Sequence, residues 1–280
     1  MSGLSRSENG TVRRALASVR DWRGSLSRLR WHTVRVLAPR RTVWSRGVRL
    51  TLQCENWITQ YRWETFSEKE PETLDWIDRW VRGGDTVFDI GANIGVYALY
   101  AALRHPTVQV VAFEPEYGNL HLLRDNVMEN RVQDRVEIYG VALSDRSGVS
   151  RLHIQDVSPG SALHTESSEF LERTLAGRPV VWREGICAMT LDDFCEQTSL
   201  HPQAIKLDVD GTEPRVLTGA SRTLRSPLLR TLIIEMPADT SARHQCAQQL
   251  TAAGLRQEWR DPQGKSTNEV WGRPTGERGG

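Results

Sequence analysis

Residues Asp85-Thr-Val-Phe-Asp-Ile-Gly-Ala-Asn-Ile-Gly95 predict the architecture of the whole chain. Their first half, Thr86 to Ile90, is a short apolar run, which is typical of a buried strand. Gly91 and Gly95 come next, and glycine lets the backbone turn tightly and approach a ligand closely. Because the residues from Ile94 to Leu103 predict a helix, the stretch is a strand, a glycine turn and a helix in succession.

The same alternation of strand and helix continues toward the C-terminus. Further sheet strands are predicted at 108–113, 136–142, 204–209 and 229–235, with helices at 116–130, 191–197, 213–224 and 241–253. Short strands are predicted at 47–52, 149–154, 255–259 and 268–271, and a helix at 70–80. Apolar strands that alternate with helices are typical of a mostly parallel sheet with helices on both faces.

The composition is that of an ordinary globular protein. The chain has 280 residues, 39% hydrophobic and 25% charged, which argues against a disordered, collagen-like or coiled-coil protein. Its longest apolar run, Val108 to Phe113, is far shorter than the roughly 20 residues of a membrane span. No N-terminal stretch resembles a secretory signal, and the four cysteines show no C-x-x-C pairing. We therefore expect a cytoplasmic protein without a disulfide framework or a zinc site.

The N-terminal segment differs from the rest of the chain in charge. Residues 1–50 contain 12 Arg and two acidic residues, whereas the formal net charge of the whole chain is +1. Apolar residues between Val12 and Leu29 recur at helical spacing among these arginines, so a basic amphipathic helix on an anionic membrane surface is one interpretation. The others are an arm packed on its own domain or on a partner subunit, and a disordered segment.

We divide the chain into three parts. Residues 1–46 are assigned to the basic arm, residues 47–274 to one globular domain and residues 275–280 to a tail. Within the domain, residues 155–188 begin rich in Ser, Gly and Pro and are expected to form an insertion on the substrate side of the sheet. Most tryptophans before the first sheet strand, such as Trp57 and Trp76, are expected in the core or on a helix face, whereas Trp182 in the insertion is the better candidate for a substrate contact.

Polar residues follow the ends of the predicted sheet strands. Asp89 stands just before the glycine turn, Glu114 follows the second strand, and Ser144-Asp145 follow the third. The fourth strand ends in Asp208-Val-Asp-Gly-Thr-Glu213 and the fifth in Glu235. Ligands of parallel sheets bind outside the carboxyl ends of the strands, so these side chains are expected around one cleft.

This cleft favours a cofactor that has a ribose and a cationic group and lacks a phosphate. Glu114 follows Gly91 by 23 residues, close to the spacing of the acid that binds ribose hydroxyls in dinucleotide folds. Asn93 stands where the glycine-rich loop of nicotinamide enzymes has a glycine, and a pyrophosphate would be poorly served beside Asp89 and Glu114. S-adenosylmethionine meets these requirements.

In their order, the motifs of the chain resemble the FkbM family of S-adenosylmethionine-dependent methyltransferases. They are Asp85 to Gly95, Phe113-Glu-Pro115, Ala142-Leu-Ser-Asp145 and Ile205 to Glu213. The resemblance implies a Rossmann-like class I methyltransferase fold with a mostly parallel seven-stranded sheet, helices on both faces and antiparallel pairing near the C-terminus. It also implies O-methylation of a hydroxyl on a sugar, a glycolipid or a polyketide-type product. Asp210 replaces the glutamate that is usual in the strand-four motif.

Seven residues are candidates for binding the cofactor: Asp89, Gly91, Asn93, Gly95, Glu114, Ser144 and Asp145. The two glycines would form the turn under its aminoacyl part, the asparagine would brace the loop, and the glutamate would accept the ribose hydroxyls. The first aspartate would bind the amino group, and the Ser-Asp pair would face the adenine. The structural alternatives are a packing turn for the glycines and capping or turn-forming roles for the acids.

Three carboxylates are candidates for catalysis: Asp208, Asp210 and Glu213. Methyl transfer needs an aligned acceptor, and an alcohol must also lose its proton, so a nearby base helps. Asp208 is the preferred base, with His153 and His164 as further candidates. The alternatives are a positioning role for Asp208 and a helix-capping role for Glu213.

The expected partner is a small molecule with a hydroxyl group. We predict no metal in the site, although a divalent ion held by the carboxylates is an alternative that a chelator would reveal. A non-catalytic module that retains the cofactor pocket is a second alternative. No nucleic-acid partner is expected, because the chain after residue 50 is acidic overall.

Overall fold

A computed structural model describes residues 39–162, 164 and 180–274 of the chain. The expectations for a basic amphipathic helix before residue 39, for a short helical stretch near residues 169–175 and for the tail at 275–280 lie outside the described residues.

The described elements follow the predicted alternation of strands and helices. The strands are β1 (Arg40–Ser45), β2 (Val48–Gln53), β3 (Thr86–Ile90), β4 (Gln109–Phe113), β5 (Val136–Tyr139), β6 (Ala142–Leu143), β7 (Gly148–Ile154), β8 (Trp182–Met189), β9 (Ala204–Leu207), β10 (Thr231–Glu235), β11 (Arg256–Arg260) and β12 (Asn268–Gly272). The helices are α1 (Trp57–Glu64), α2 (Pro71–Trp80), α3 (Val96–Arg104), α4 (Tyr117–Glu129), α5 (Leu191–Thr198), α6 (Glu213–Gly219), α7 (Ser221–Arg225) and α8 (Thr240–Ala252). None of the helices in this part of the chain combines the length and the apolar character that a membrane span requires.

The central sheet has seven strands in the order β11-β12-β10-β9-β3-β4-β5. The five strands from β10 to β5 run parallel, and β12 lies antiparallel between β10 and β11. The C-terminal hairpin thus extends a parallel sheet by antiparallel pairing. The predicted fold, a mostly parallel Rossmann-like sheet, is confirmed for the described residues.

Both faces of the sheet are covered by helices. Successive side chains along each strand point to opposite faces, so neighbouring residues pack into two different layers. Val87 and Ala204 pack with α2, α3 and α4 in one apolar layer. Phe88 and Ile205, one position later in their strands, pack with α5, α6, α7 and α8 in the other. Phe194 of α5 anchors this second layer, with its ring 4.8 Å from that of Phe113 in an edge-on contact.

The folded domain begins earlier than the sequence analysis placed it. Residues 40–45, which were assigned to the basic arm, form β1 and pair antiparallel with β2. Leu50 and Leu52 of β2 are fully buried in the first apolar layer. The compact unit that contains the described domain accordingly starts at Arg40, so the arm boundary at residue 46 is corrected.

The C-terminal part of the expected insertion is a strand rather than irregular structure. β8 runs antiparallel to β7 along its whole length and also pairs parallel with β6. These three strands form a separate small sheet. Residues 182–188 therefore belong to regular structure, because each of them pairs with a residue of β7.

Asn126 in α4 provides a test of how the first layer is held. Its Oδ1 accepts a hydrogen bond from the backbone N of Gln53 at 2.8 Å, and its Nδ2 donates to the backbone O of Ile94 at 2.9 Å. Leucine would leave both buried groups without a partner, at a cost of about 1–3 kcal/mol each. We expect Asn126→Leu to lower the free energy of unfolding by about 2–6 kcal/mol in urea, and Met128→Ala on the exposed side of α4 to change it by less than about 0.5 kcal/mol. Equal effects of the two substitutions would contradict this role.

Candidate active site

A cavity of about 720 Å³ opens at the carboxyl ends of the parallel strands. Gly91 after β3, Glu114 after β4, Asp208 after β9 and Glu235 at the end of β10 all line it. These residues come from four neighbouring strands, so the sheet itself brings them together. These four residues therefore lie around one cleft at the carboxyl ends of the strands.

The glycine turn is shaped by the strand beside it. Gly91 has a φ of +78°, and a Cβ at this position would lie 1.8 Å from the carbonyl oxygen of Asp208. Gly95, with a φ of +87°, begins α3, and a Cβ there would lie 2.3 Å from Cδ1 of Leu123. Both positions exclude other residues for reasons of conformation and space. Both glycines therefore serve close packing of the turn, which was the structural alternative to ligand binding. Gly91 also lines the cavity.

Glu114 is a buried carboxylate that faces the cavity. Its Oε2 accepts a hydrogen bond from the backbone N of Asn93 at 2.8 Å, and its Oε1 accepts one from the backbone N of Glu116 at 3.0 Å. Burial raises the pKa of Glu114 to about 7, against the lowering effect of these backbone donors. Each carboxylate oxygen has two acceptor sites, so the side chain can still accept hydrogen bonds from a ligand.

Asn93 braces the loop, as the sequence predicts, and it also reaches a second segment. Its φ of 52° lies in the left-handed region, which asparagine tolerates better than most residues. Its Nδ2 donates to the backbone O of Ser161 at 2.7 Å. The glycine turn is therefore tied to the segment after β7, and both contribute to the wall of the cavity.

Lys206 is a functional candidate that the sequence analysis left unassigned. Its buried ammonium lies 3.0 Å from Oδ2 of Asp208 and 3.7 Å from Oδ1 of Asp89, and 5.2 Å from the ring centre of Tyr97. The carboxylates raise the pKa of Lys206 above its usual value despite burial, which alone would lower it. The rarity of lysine was the one signal in the sequence, since the chain has three, Lys69, Lys206 and Lys265. In the structure all three line this cavity.

Asp89 lies behind the cavity rather than in its wall. Its side chain is almost fully buried, and neither carboxylate oxygen has a hydrogen-bond partner among the described residues. Asp89 and Lys206 are paired across β3 and β9, which places both side chains on the same face of the sheet. Burial raises the pKa of Asp89 although Lys206 opposes this, so Asp89 is the weaker of the two carboxylate partners of Lys206. Direct contact with a cofactor's amino group stays a prediction that this position does not favour.

A cluster of three carboxylates stands above Lys206. Oxygens of Asp208, Asp210 and Glu235 lie within 4.8 Å of one another. So many negative charges cannot all persist at this distance, and one of the groups holds a proton. Burial and the neighbouring Asp208 raise the pKa of Glu235 to about 9, whereas Lys206 holds the pKa of Asp208 below its usual range despite burial. These directions favour a proton on Glu235 and the ionised form of Asp208. The absence of a metal from the cluster stays a prediction.

Glu213 lies in a structural position, and its catalytic role stays a prediction that this position does not favour. It is buried and is not among the described residues that line the cavity. Its Oε1 accepts hydrogen bonds from the backbone N of Gly211 at 3.0 Å and of Val209 at 3.2 Å. Glu213 thus holds the turn that carries Asp210, and Glu235 from the next strand takes the third place in the acidic cluster.

Ser144 and Asp145 are also not among the described residues in the cavity wall. Asp145 pairs with Arg215 at 2.8 Å, and this hydrogen bond is the main cause of its lowered pKa. The wall beside Glu114 consists of Val141, Ala142 and Leu143, which come just before the predicted pair. Adenine contacts by Ser144 and Asp145 stay a prediction that this arrangement does not favour.

Residues from outside the sheet complete the cavity wall. Glu70, before α2, and Tyr97, in the first turn of α3, both line it, and a hydrogen bond to Glu70 adds to burial in raising the pKa of Tyr97. His164 lines it too, and its Nε2 lies 2.9 Å from Oγ of Ser161. Burial lowers the pKa of His164, so its ring is neutral at pH 7. His153 is not among the described lining residues.

The cavity is lined by two chemically different sets of groups. The glycine turn and Glu114 offer backbone groups and acceptor oxygens that suit a polar, hydroxyl-bearing ligand. The cluster of Asp208, Asp210 and Glu235 offers negative charge that suits a cationic group and an ionised carboxylate that can take up a proton.

The chain is similar in sequence to known proteins. Residues 89–251 match the family model described as Methyltransferase FkbM domain. The chain is 33% identical over 159 residues to the 31-O-demethyl-FK506 methyltransferase FkbM of Streptomyces tacrolimicus, across 50% of this chain and 60% of that protein. It is 46% identical over 59 residues to the AMB antimetabolite synthetase AmbE of Pseudomonas aeruginosa, across 21% of this chain and 3% of that protein. The match thus spans 60% of the first of these relatives and a small part of the second.

Among solved structures, a putative rRNA-methylase from Clostridium thermocellum superposes with a TM-score of 0.45. It is 12% identical, and the superposition covers 72% of this chain and 92% of that one. The StiE O-MT domain, residues 961–1257, superposes with a TM-score of 0.42 at 12% identity, over 72% of this chain and 57% of that one.

The ion pair beneath the acidic cluster can be tested without any ligand. Removing one partner of a buried pair leaves an uncompensated charge, which typically costs about 3–5 kcal/mol. We expect Lys206→Met to lower the free energy of unfolding by about this amount at pH 7, measured by urea denaturation. The double variant Lys206→Met/Asp89→Leu should recover part of the loss, because it also removes the buried Asp89 carboxylate, whereas Asp208 stays without its cation. A double variant no more stable than Lys206→Met alone would show that Asp89 does not pair with Lys206.

Proposed function

We propose that this chain, which belongs to the FkbM methyltransferase domain family, transfers a methyl group from S-adenosylmethionine to a hydroxyl group of a sugar, a glycolipid or a polyketide-type small molecule. One observation carries the proposal: Gly91, Glu114 and Asp208 line a single cavity of about 720 Å³. A methyl donor and its acceptor must meet in one space, and this volume lies in the range of small-molecule sites.

The residues of the cavity fit this methyl donor. Glu114 retains acceptor sites for two ribose hydroxyls beyond the backbone amides that it already binds. The ionised Asp208 and its neighbours complement the positive sulfonium and ammonium groups of the donor. The same negative charge disfavours a pyrophosphate, so the donor set supports this cofactor over a nicotinamide dinucleotide.

The protein's share of the chemistry is alignment and proton removal. When bound, S-adenosylmethionine supplies an electrophilic methyl group on a positively charged sulfur. Asp208 is the candidate base, because Lys206 keeps it ionised at the cavity wall. When the acceptor oxygen bonds to the methyl carbon and the carbon–sulfur bond breaks to release S-adenosylhomocysteine, the hydroxyl proton would pass to the Asp208 carboxylate and then to solvent. The raised pKa of Glu235 favours its protonated form, which can donate a hydrogen bond within the cluster.

Oxygen is the proposed acceptor atom for two reasons. A carboxylate base suits an alcohol, whose proton must leave as the new bond forms. The relative from Streptomyces tacrolimicus is named for methylating 31-O-demethyl-FK506, which is methylation at an oxygen. Transfer of this chemistry to the present chain is part of the proposal.

The cofactor assignment predicts a strong effect of Glu114. Its carboxylate would accept charge-assisted hydrogen bonds from the ribose, each worth about 1.5–3 kcal/mol. We expect S-adenosylhomocysteine to bind the wild-type protein in calorimetric titration, and Glu114→Ala to weaken binding by about 10- to 1,000-fold. Glu129→Ala is the matched control, because Glu129 also forms an ion pair, with Arg40, and is not among the described residues that line the cavity. Absence of binding to the folded wild type would overturn the assignment of the cofactor.

The assignment of the base predicts separate effects on catalysis and binding. Asp208→Asn keeps the shape of the side chain and removes the proton acceptor. We expect transfer of labelled methyl to a hydroxyl acceptor to fall by about 100-fold or more. The affinity for S-adenosylhomocysteine, whose sulfur is uncharged, should change by less than about tenfold. Full activity of Asp208→Asn would exclude it as the base, and loss of wild-type activity in excess chelator would favour a metal-dependent mechanism.

A further inference from the structure

We propose that a groove beside the cavity binds the unreactive part of the acceptor, and that this part is an uncharged ring with a polar substituent. The inference rests on the proposed methyl transfer, because it names the class of acceptor that the cavity serves. The groove encloses about 620 Å³ and is lined mainly by α1 and by the segment after β7.

The groove is continuous with the cavity. Arg62, Lys69, Ser161 and Ala162 line both of them. A ligand whose hydroxyl group lies near Asp208 can therefore extend past these four residues without leaving the protein surface. The groove is thus placed to hold the part of the acceptor that does not react.

Two aromatic side chains form the open side of the groove. Trp57 and Tyr61 both line it, and they are 73% and 46% exposed. They lie four residues apart on α1, so they share one face of the helix. Exposed aromatic faces one helical turn apart suit a ligand that presents a flat or saturated apolar ring face, which would cover them from water.

Gln155 supplies an unused polar group in the same groove. Both polar atoms of its side-chain amide are buried, and neither has a hydrogen-bond partner among the described residues. A buried amide without partners is costly, and a ligand with a hydroxyl or carbonyl group could satisfy it. The groove therefore favours a ring that carries a polar substituent over a plain hydrocarbon.

The walls of the groove are held in place by hydrogen bonds. Nδ2 of Asn56, which caps α1, donates to the backbone O of Pro159 at 2.8 Å, and Nε of Arg62 donates to the backbone O of Gly160 at 2.6 Å. Gly160 lies so close to α1 that a Cβ there would be 2.9 Å from Cγ2 of Thr59. These links make the groove a preformed site, which lowers the entropic cost of binding.

The charges around the groove are balanced. Lys69 pairs with Glu70 at 3.2 Å, and the Arg62 guanidinium shares the groove with the carboxylate of Asp156. With Glu70, which lines the neighbouring cavity, the two cations meet two carboxylates, so no excess charge of one sign selects an ionic ligand. An uncharged ring is therefore favoured over a phosphorylated or carboxylated one, and it could be either a glycosyl ring or a carbocycle.

Saturation-transfer NMR on the full chain, with and without S-adenosylhomocysteine, tests the groove directly. The probes are methyl β-glucopyranoside for a glycosyl ring, cis-1,2-cyclohexanediol for a carbocycle, erythritol as an acyclic polyol and glucose 6-phosphate as a charged ring. We expect at least one uncharged ring to bind more tightly than the acyclic and charged probes. The preferred ring identifies which source of the shared chemistry the groove accepts.

Variants of the groove locate the binding. Trp57→Ala and Tyr61→Ala should each weaken the preferred ring by about tenfold, whereas Trp44→Ala, an exposed tryptophan that is not among the described residues of the groove or the cavity, should leave it unchanged. Gln155→Leu should weaken the ring and raise the thermal midpoint, since it removes a buried amide without a partner. A merely structural glutamine would not give this opposite pair of effects.

Three outcomes would overturn the inference: no ring binding, equal binding of all four probes, or unchanged ring affinity in Trp57→Ala. Calorimetry with S-adenosylhomocysteine on the same samples separates this failure from failure of the proposed function. Cofactor binding without ring binding would remove the groove and leave the methyltransferase proposal standing. Ring binding that responds to Trp57→Ala without cofactor binding would do the reverse.

Discussion

The candidate site depends on one close contact, that between the backbone of Gly91 and the backbone of Asp208. A Cβ at Gly91 would lie 1.8 Å from the Asp208 carbonyl oxygen, and the Asp208 backbone N donates to the Ile90 carbonyl at 3.1 Å. The turn after β3 and the acid after β9 are therefore held against each other by the pairing of their strands. Everything that must act together in the cavity, including Glu114 and Glu235, is positioned by that pairing.

A buried lysine among carboxylates then sets the charge of the cavity. Lys206 balances Asp89 below and Asp208 above, so that neither acid is buried without a cation. A buried pair of this kind contributes little net stability compared with apolar residues, which suggests that its value lies in function. Its effect is to favour the ionised form of Asp208, and burial together with the Asp208 charge raises the pKa of Glu235, so two neighbouring carboxyl groups take different chemical roles.

The sequence predicts the sheet and half of the site because both follow from strand order. Residues directly after a parallel strand, such as Glu114 and Asp208, had to reach the cleft. The differences occur where the chain moves away from the strand end or where a neighbouring strand intervenes. Glu213 accepts a hydrogen bond from the backbone of its own turn. Glu235 lies next to Asp208 instead, because β10 neighbours β9 in the sheet. Lys206 was overlooked because its importance arises from pairing across strands, which spacing along one segment does not reveal.

The acceptor side was hardest to predict for a related physical reason. Trp57 was expected in the core or on a helix face, and a helix usually turns its apolar residues inward. Trp57 lies on an exposed helix face, because α1 is oriented by polar contacts, chiefly Asn56 to Pro159 and Arg62 to Gly160, and these leave its aromatic face open. The segment that α1 contacts is also tied to the glycine turn through Asn93 and Ser161. The parallel sheet thus fixes the donor end by backbone pairing, while side-chain hydrogen bonds between distant segments shape the groove, and such bonds leave no periodic trace in a sequence.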